Sequence, residues 1–157
     1  MSQAEMLTGT ERLRPGFYPF PEGFQIGIST CATQSRFVDS DISRFAKENF
    51  PAMGLVPYDV NPDHDKYEET DLKLLAESGA KFYRPSIEWA EWFPNGSHTI
   101  NRAAVEKDLA YIKKCQTLGL TVYPMLSHFA APPWLPEKGG WNRIGTAFHF
   151  QRFVEAF

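Results

Sequence analysis

The clearest pattern along the chain is an amphipathic helix that leads through a glycine into an apolar strand. Segment 65–78 carries acids early and apolar residues at helical spacing, and Gly79 follows as a helix-ending glycine. An apolar run over 81–88 begins directly afterwards. This order predicts a helix, a tight glycine exit and a strand.

The same order returns forty residues further on. Apolar positions at helical spacing predict a second helix over 102–118, Gly119 ends it, and an apolar run predicts a strand over 120–126. A recurring helix–glycine–strand unit is typical of a parallel sheet whose crossover helices lie outside it. The strands are mostly apolar rather than alternating, which predicts burial on both faces.

Weaker signals flank these two units. A short strand is predicted over 23–30, and a short helix over 42–48 inside an irregular, proline-containing stretch over 39–62. Phenylalanines at helical spacing mark a third helix over 148–157, and its apolar stripe stops without a glycine, a proline or a basic last turn. This ending predicts a truncated gene product.

Units of this kind build either a doubly wound sheet or a (β/α)8 barrel. The first predicted strand lacks the Gly-x-Gly-x-x-Gly motif of a dinucleotide-binding doubly wound sheet. Polar and aromatic residues instead follow the carboxyl ends of three successive strands, where barrel active sites lie. The predicted fold is α/β, the N-terminal part of a (β/α)8 barrel with about three βα units. We expect one partial domain over 1–157, with 1–19 as a loose lead-in.

Composition argues against several classes of function. The 157 residues include 16 basic and 19 acidic side chains, a net charge of −3, with no basic run, so neither nucleic acid nor a membrane is a predicted partner. Cys31 and Cys115 fit reduced core thiols better than a disulfide or a zinc site. The chain shows no secretory segment and no apolar span of ~20 residues, which predicts a cytoplasmic protein.

Candidate chemistry lies where the predicted strands end. His128 and Phe129 follow one strand, and Arg84, Glu88 and Trp89 close another. A polar donor beside flat apolar surfaces suits a sugar ring, which has hydroxyls around its edge and C–H groups on its faces. Taken alone, His128 fits a structural role better than a ligand-binding role, and Arg84 fits a buried ion pair.

For the remaining histidines and tryptophans we expect structural or solvent-exposed positions. His64, His98 and His149 lack metal-ligand spacing, so a solvated position is predicted for each. Three tryptophans near the strand exits are predicted to be packing residues first, namely Trp89, Trp134 and Trp141.

Five motifs stand in order and at matching separations. They are the stretches over 20–34, 83–89, 93–96, 127–129 and 138–141. Together they resemble the N-terminal third of glycoside hydrolase family 1, the β-glucosidase and β-galactosidase family. Glu88 before Trp89, and a Pro-x-Trp-Leu sequence after Phe129, are more similar to its archaeal-type members.

The resemblance implies a retaining (β/α)8 glycosidase. Such an enzyme needs two carboxyl groups about 5–5.5 Å apart. In the family these glutamates stand in an Asn-Glu-Pro motif after strand four and a Glu-Asn-Gly motif after strand seven. Neither motif occurs in this sequence. The resemblance therefore implies a fragment that lacks both catalytic glutamates, and it implies no cofactor and no metal.

The resemblance also assigns roles to residues that are present. Gln34 and His128 match the family pair that hydrogen-bonds sugar hydroxyls in the −1 subsite, and Phe129 stands where many members have tryptophan. Arg84 matches the arginine that positions the nucleophile carboxylate. Glu88 matches a non-catalytic glutamate, for which a salt bridge or a hydrogen bond at the barrel mouth is expected. The implied ligand is a β-linked saccharide or an aryl or alkyl β-glycoside, and homo-oligomerisation of the full-length form stays open.

Two departures from the family pattern concern charged residues. The family usually has Gln-x-Glu after strand one, whereas this chain has Arg36 two residues after Gln34. The family has Trp-Ser-Arg after strand two, whereas this chain has Glu91 two residues after Trp89. These changes concern either the outer sugar subsites or local salt bridges.

Three functions remain after this comparison. The leading hypothesis is a retaining β-glycosidase that acts in carbohydrate metabolism. The second is a non-catalytic relic or split-gene half that binds sugar weakly or needs a partner chain, and whose isolated 157 residues are poorly soluble or molten and inactive. The third is another (β/α)8 enzyme that shares only the chemistry at its strand ends.

Overall fold

A computed structural model describes residues 20–54 and 63–157 of the chain. The expected lead-in over 1–19 lies outside the described residues, and so does 55–62 within the irregular stretch.

Three parallel strands form the sheet, in the spatial order β1, β2, β3. The strands are β1 Gly27–Ser29, β2 Phe82–Arg84 and β3 Thr121–Val122. The helices are α1 Ala32–Ser35, α2 Asp41–Asn49, α3 His64–Glu77, α4 Trp89–Trp92, α5 Arg102–Thr117 and α6 Gly145–Ala156, and short 3₁₀ helices cover Pro51–Met53, Pro136–Lys138 and Gly140–Asn142. The predicted helix–glycine–strand order is confirmed, and Gly79 and Gly119 both have the left-handed φ of helix-ending glycines, 83° and 81°.

β2 and β3 are shorter than the sequence predicted because prolines interrupt the ladder. Pro85 and Pro124 have no N–H to donate. Backbone pairing nevertheless continues past them, since Met125 N donates to Pro85 O at 2.8 Å and Ile87 N donates to Met125 O at 2.9 Å. The polypeptide therefore stays paired to the point where the predicted site begins.

The face of the sheet that points away from the helices depends on one close approach. Gly27 pairs with Phe82, and a Cβ at residue 27 would lie 2.2 Å from the Phe82 ring. Glycine is therefore required at this position for steric reasons. The Phe82 ring also contacts the Tyr123 ring edge-on, with 5.6 Å between the ring centroids.

The opposite face of the sheet packs on α3 and α5. Tyr83 is 3% exposed and lies in a buried cluster with Leu72, Cys115 and Leu120. The expectation that both faces would be buried is wrong for the described residues, because Tyr123 on the open face is 57% exposed. Three strands do not curve far enough to cover their own concave face, which in a closed barrel is filled by side chains from the other strands.

A second core, made largely of aromatic side chains, joins α6 to the segment that follows β2. Phe153 is fully buried, and its ring stacks on Trp89 at 5.9 Å and meets Trp92 edge-on at 5.5 Å. The Trp92 indole N–H donates to Asp108 Oδ2 at 2.7 Å, which ties this core to α5. The core therefore supports the polypeptide directly behind the end of β2.

Two of the three histidines expected to be solvated are hydrogen-bonded instead. His64 Nδ1 lies 2.6 Å from Asp71 Oδ2, and His64 Nε2 lies 3.0 Å from the Tyr111 hydroxyl. His149 Nδ1 lies 2.7 Å from the hydroxyl of Ser97. The prediction was wrong because most of these partners come from elements distant in sequence. His98 is exposed, as predicted.

Both cysteines are buried and unpaired, as the sequence predicted. Within residues 20–54 and 63–157, no helix combines the length and the hydropathy that a bilayer crossing requires.

Truncation of Phe153 tests the aromatic core. We expect Phe153→Ala to lower the free energy of unfolding by about 3–5 kcal/mol, because a fully buried ring leaves a cavity. Phe148→Ala on the same helix should change it little, since Phe148 is 67% exposed. Urea unfolding of both variants measures the difference, and equal losses would contradict this description of the core.

Candidate functional site

The ends of the three strands meet at one edge of the sheet. Because the strands are parallel, their carboxyl ends lie on the same side. Ser86, which follows β2, links the other two: its hydroxyl donates to Thr30 O at 3.4 Å and lies 3.5 Å from His128 Nδ1. Residues that follow all three strands are therefore in direct contact.

His128 contacts one residue through a ring nitrogen, one through its backbone carbonyl and one by a ring-to-ring contact. Its Nδ1 faces Ser86, and its carbonyl accepts a hydrogen bond from the Cys31 thiol at 3.8 Å. The Phe129 ring lies 4.9 Å from the imidazole. His128 Nε2 has no hydrogen-bond partner among residues 20–54 and 63–157.

Phe129 presents an exposed aromatic surface beside this imidazole. Its side chain is 71% exposed, although its ring contacts His128. Its φ of 68° lies in the left-handed region, which bulky residues rarely adopt. Backbone strain of this kind occurs at sites where the position of a side chain matters.

Gln34 lies on α1, directly after β1, and is exposed. Its backbone N–H donates to Cys31 O at 3.0 Å, and Cys31 is the residue whose thiol reaches His128. The Gln34 side chain makes no hydrogen bond to the described part of the chain. Gln34 thus follows Cys31, which contacts His128, by three positions in the sequence. Its side-chain amide is without a hydrogen bond to the described residues.

Arg84 is the last residue of β2 and is half-buried. Its Nε donates to the Ser29 hydroxyl at 2.9 Å. Neither of its two terminal nitrogens has a hydrogen-bond partner in the part of the chain that the structure describes. The guanidinium is therefore oriented by β1, and its two terminal nitrogens, here called its outer fork, are not engaged by the described residues.

The two residues that connect the strand ends were not among the site residues predicted from the sequence. Ser86 and Cys31 make the contacts that join the segments after β1, β2 and β3. Small polar residues directly after apolar strands were the available signal. Their partners, 97 and 42 residues away for the contacts with His128, were not readable from the sequence.

A buried arginine lies behind this edge. Arg36 is 7% exposed and grips Glu91 with two parallel hydrogen bonds, Nη1 to Oε1 at 3.2 Å and Nη2 to Oε2 at 2.7 Å. Asp65 and Asp108 approach the same guanidinium at 3.7 and 4.0 Å. Arg36 thereby joins the segment after β1 to α3, α4 and α5.

This ion pair unites the two charged departures from the family pattern. An arginine replaces the family's acid at residue 36, and a glutamate replaces its arginine at residue 91. The two side chains are bonded to each other, so both substitutions belong to one salt bridge. Of the two alternatives raised by the sequence, a local salt bridge is therefore present.

Glu88 lies between this cluster and the strand ends. It is 3% exposed, and burial raises its pKa to about 7 against the opposing effects of the Arg36 cation and a hydrogen bond with Ser86. Burial likewise raises the pKa of Asp108, while the Trp92 indole and Arg36 favour its ionised form. A pKa near 7 means that the Glu88 carboxyl holds a proton for part of the time near neutral pH.

Removal of the buried cation tests this cluster. Arg36→Met leaves Glu91 and Asp108 without their counter-charge, so we expect a loss of about 3–5 kcal/mol in the free energy of unfolding. The matched control is Arg44→Met, because Arg44 makes the same forked contact to Asp39 at 2.8 Å on the surface. Denaturant unfolding should show little change for the control. Similar small losses in both variants would contradict a structural role for the buried pair.

Comparison with known proteins relates the chain to one family. The sequence profile of glycosyl hydrolase family 1 matches residues 18–157. Thermostable beta-glucosidase B of Thermobispora bispora is 30% identical over 146 residues, which are 90% of this chain and 31% of that protein. A beta-glucosidase of Agrobacterium sp. is 33% identical over 143 residues, again 31% of its length.

Solved structures of similar fold identify the architecture of the chain. The virulence factor SghA of Agrobacterium tumefaciens, solved in complex with its substrate analog salicin, superimposes with a TM-score of 0.80 and 31% identity, covering 87% of this chain and 32% of SghA. The chain spans about a third of the length of the curated relatives it matches. Its three βα units correspond to the N-terminal part of a (β/α)8 barrel. The chain belongs to glycosyl hydrolase family 1.

Proposed function

We propose that this chain forms the N-terminal βα units of a retaining β-glycosidase, and that Gln34, Arg84, His128 and Phe129 hold its substrate. The observation that carries the proposal is a set of unengaged polar groups at one edge of the sheet. They are the Gln34 amide, His128 Nε2 and the outer fork of Arg84, next to the exposed ring of Phe129.

These groups suit a pyranose. A primary amide offers both donors and an acceptor, and an imidazole offers one nitrogen of either kind, so Gln34 and His128 can share one ring hydroxyl. The exposed Phe129 ring offers a flat apolar surface to the C–H face of the sugar. Sites for small polar ligands combine a few placed polar groups with aromatic walls in this way.

Arg84 has a different role in this proposal. Its guanidinium is fixed by Ser29 and directs two N–H groups outward. A carboxylate nucleophile bound there would stay ionised and oriented, because a fixed cation favours the charged form and a fork matches two carboxylate oxygens.

The two catalytic glutamates belong, in this proposal, to polypeptide outside the 157 residues. The Asn-Glu-Pro and Glu-Asn-Gly motifs are missing from the sequence, and the chain corresponds to 31% of its curated relatives. A retaining enzyme needs those carboxyl groups about 5–5.5 Å apart, one as nucleophile and one as acid and base. The residues present here bind and orient the sugar.

The proposed substrates are β-linked saccharides and aryl or alkyl β-glycosides. The relatives are named beta-glucosidases, and SghA was solved with salicin, its substrate analog. Both lines support a β-glycoside in the site formed around His128.

A second candidate is a non-catalytic relic or a split-gene half that needs a partner chain. Exposed apolar side chains favour it, because Tyr123 on the sheet is 57% exposed and Ile144 and Phe148 beside or on α6 are 88% and 67% exposed. Such surfaces mark contacts with further polypeptide. Sequencing downstream of the last codon separates the candidates: an in-frame Asn-Glu-Pro within ~20 codons favours the enzyme.

Substitution of His128 tests the enzyme proposal. In the full-length gene product we expect hydrolysis of an aryl β-glycoside, and we expect His128→Ala to lower kcat/KM at least about 100-fold, because a polar contact to the reacting sugar is lost. Release of the chromogenic aglycone measures both activities.

The matched control is His98→Ala, which removes an exposed imidazole and should leave kcat/KM unchanged. A full-length protein that releases no aglycone from any β-glucoside, β-galactoside or β-mannoside would contradict the glycosidase assignment. An unchanged kcat/KM in His128→Ala would contradict the role of His128 alone.

A further inference from the structure

We propose that Ser86 fixes His128 in the tautomer that carries its proton on Nδ1, so that Nε2 meets the ligand as a hydrogen-bond acceptor. Ser86 is thus a positioning residue that acts through His128. The part of this inference that concerns sugar rests on the function proposed above.

Ser86 has two partners at hydrogen-bond distance around one hydroxyl. The Thr30 carbonyl lies 3.4 Å from its Oγ, and His128 Nδ1 lies 3.5 Å from it. The Glu88 carboxyl is a further neighbour, whose pKa the hydroxyl lowers. A serine hydroxyl has one proton to donate and two lone pairs to accept with, so these groups share a single donor.

Counting protons decides the direction of the contact with His128. The Thr30 carbonyl accepts and never donates. The Ser86 hydroxyl donates its only proton to this carbonyl. In the contact with His128 the hydroxyl can then only accept, so Nδ1 carries the proton.

The protonation state of Glu88 does not change this result. Burial raises the pKa of Glu88 to about 7, so the carboxyl gains a proton near neutral pH. A neutral Glu88 can donate to Ser86, but the Thr30 carbonyl still takes the Ser86 proton. Ser86 then accepts from Glu88 and from Nδ1 with its two lone pairs.

The surroundings of His128 keep the ring in this orientation. Its carbonyl is held by the Cys31 thiol, and the Phe129 ring lies 4.9 Å away at an angle of 31°. A flip of the imidazole would break the Ser86 contact. A neutral imidazole with its proton on Nδ1 leaves a lone pair on Nε2, the nitrogen without a partner among the described residues.

Acceptance by His128 complements donation by Gln34. A sugar hydroxyl both donates and accepts, so it can give its proton to Nε2 and receive one from the Gln34 amide. A fluorine or an ether oxygen at the same position accepts but does not donate. The tautomer of His128 therefore makes the site selective for a hydroxyl.

Nitrogen NMR of the full-length gene product labelled with [15N]histidine tests the tautomer without any ligand. At about pH 8.5, where imidazoles are ordinarily neutral, the two 15N shifts of His128 identify the protonated nitrogen, and His128→Gln assigns the signal. We expect a proton on Nδ1 and a lone pair on Nε2. A proton on Nε2, or on both nitrogens, overturns the proposal.

Variants separate the hydroxyl from the mere presence of residue 86. Ser86→Ala should move the 15N pattern of His128 toward the Nε2-protonated form, and Ser86→Thr, which keeps the hydroxyl, should retain the wild-type pattern. Ser127→Ala removes an exposed hydroxyl next to His128 and should have no effect. The same tautomer in wild type and Ser86→Ala overturns the proposal. If Ser86→Ala does not fold, a wild-type pattern in Ser86→Thr supports it and an altered pattern overturns it.

A ligand series tests the consequence for recognition. Glucosides with each ring hydroxyl replaced in turn by fluorine should include one that binds the wild type at least about tenfold more weakly than the parent. If all bind like the parent, the acceptor role of Nε2 is overturned while the NMR result stands. If no glucoside binds at all, the proposed function fails and the tautomer result is unaffected.

Discussion

The parallel pairing of β1 with β2 and of β2 with β3 is the constraint on which the rest of the molecule depends. It places the carboxyl ends of three strands at one edge, so that Thr30, Ser86 and His128 meet although they are far apart in sequence. The register requires Gly27, because any side chain there would overlap the Phe82 ring. Tyr83 then secures the sheet from the helix side. The register also explains why polar residues that stand directly after each strand gather at this edge, which is where we propose that the sugar binds.

Behind that edge, ion pairs join the segment after β1 to the helices around it. Arg36 joins the segment after β1 to α4 through Glu91, and acidic side chains from α3 and α5 share the same cation. The fold accommodates Arg36 and Glu91 because the pair is bidentate, and because the nearby acids favour a cation at residue 36. The buried Glu88 carboxyl and the Ser86 hydroxyl connect this cluster to His128. The charged layer thus supports the groups that we propose to face the ligand.

Much of the architecture could be predicted from the sequence, because helical spacing and the glycines at 79 and 119 are local signals. The extent of the strands could not, since Pro85 and Pro124 interrupt a ladder that continues beyond them. Exposure of the concave face was missed because apolar strands do not reveal how many neighbours cover them. The predictions for His64 and His149 were wrong because Tyr111 and Ser97, which hydrogen-bond them, come from distant segments. Arg36 and Glu91 were each noted as unusual, yet only the fold shows that they are one pair.

In the proposed function, Gln34, Arg84 and His128 converge on one pyranose. A crystal structure of the proposed full-length gene product with a bound β-glucosidase inhibitor tests this convergence. We expect Gln34 and His128 Nε2 within about 3.2 Å of the same ring hydroxyl, and the two terminal nitrogens of Arg84 against a carboxylate. An inhibitor bound away from this edge, or side chains of these three residues directed to different sides of the sheet, would contradict it.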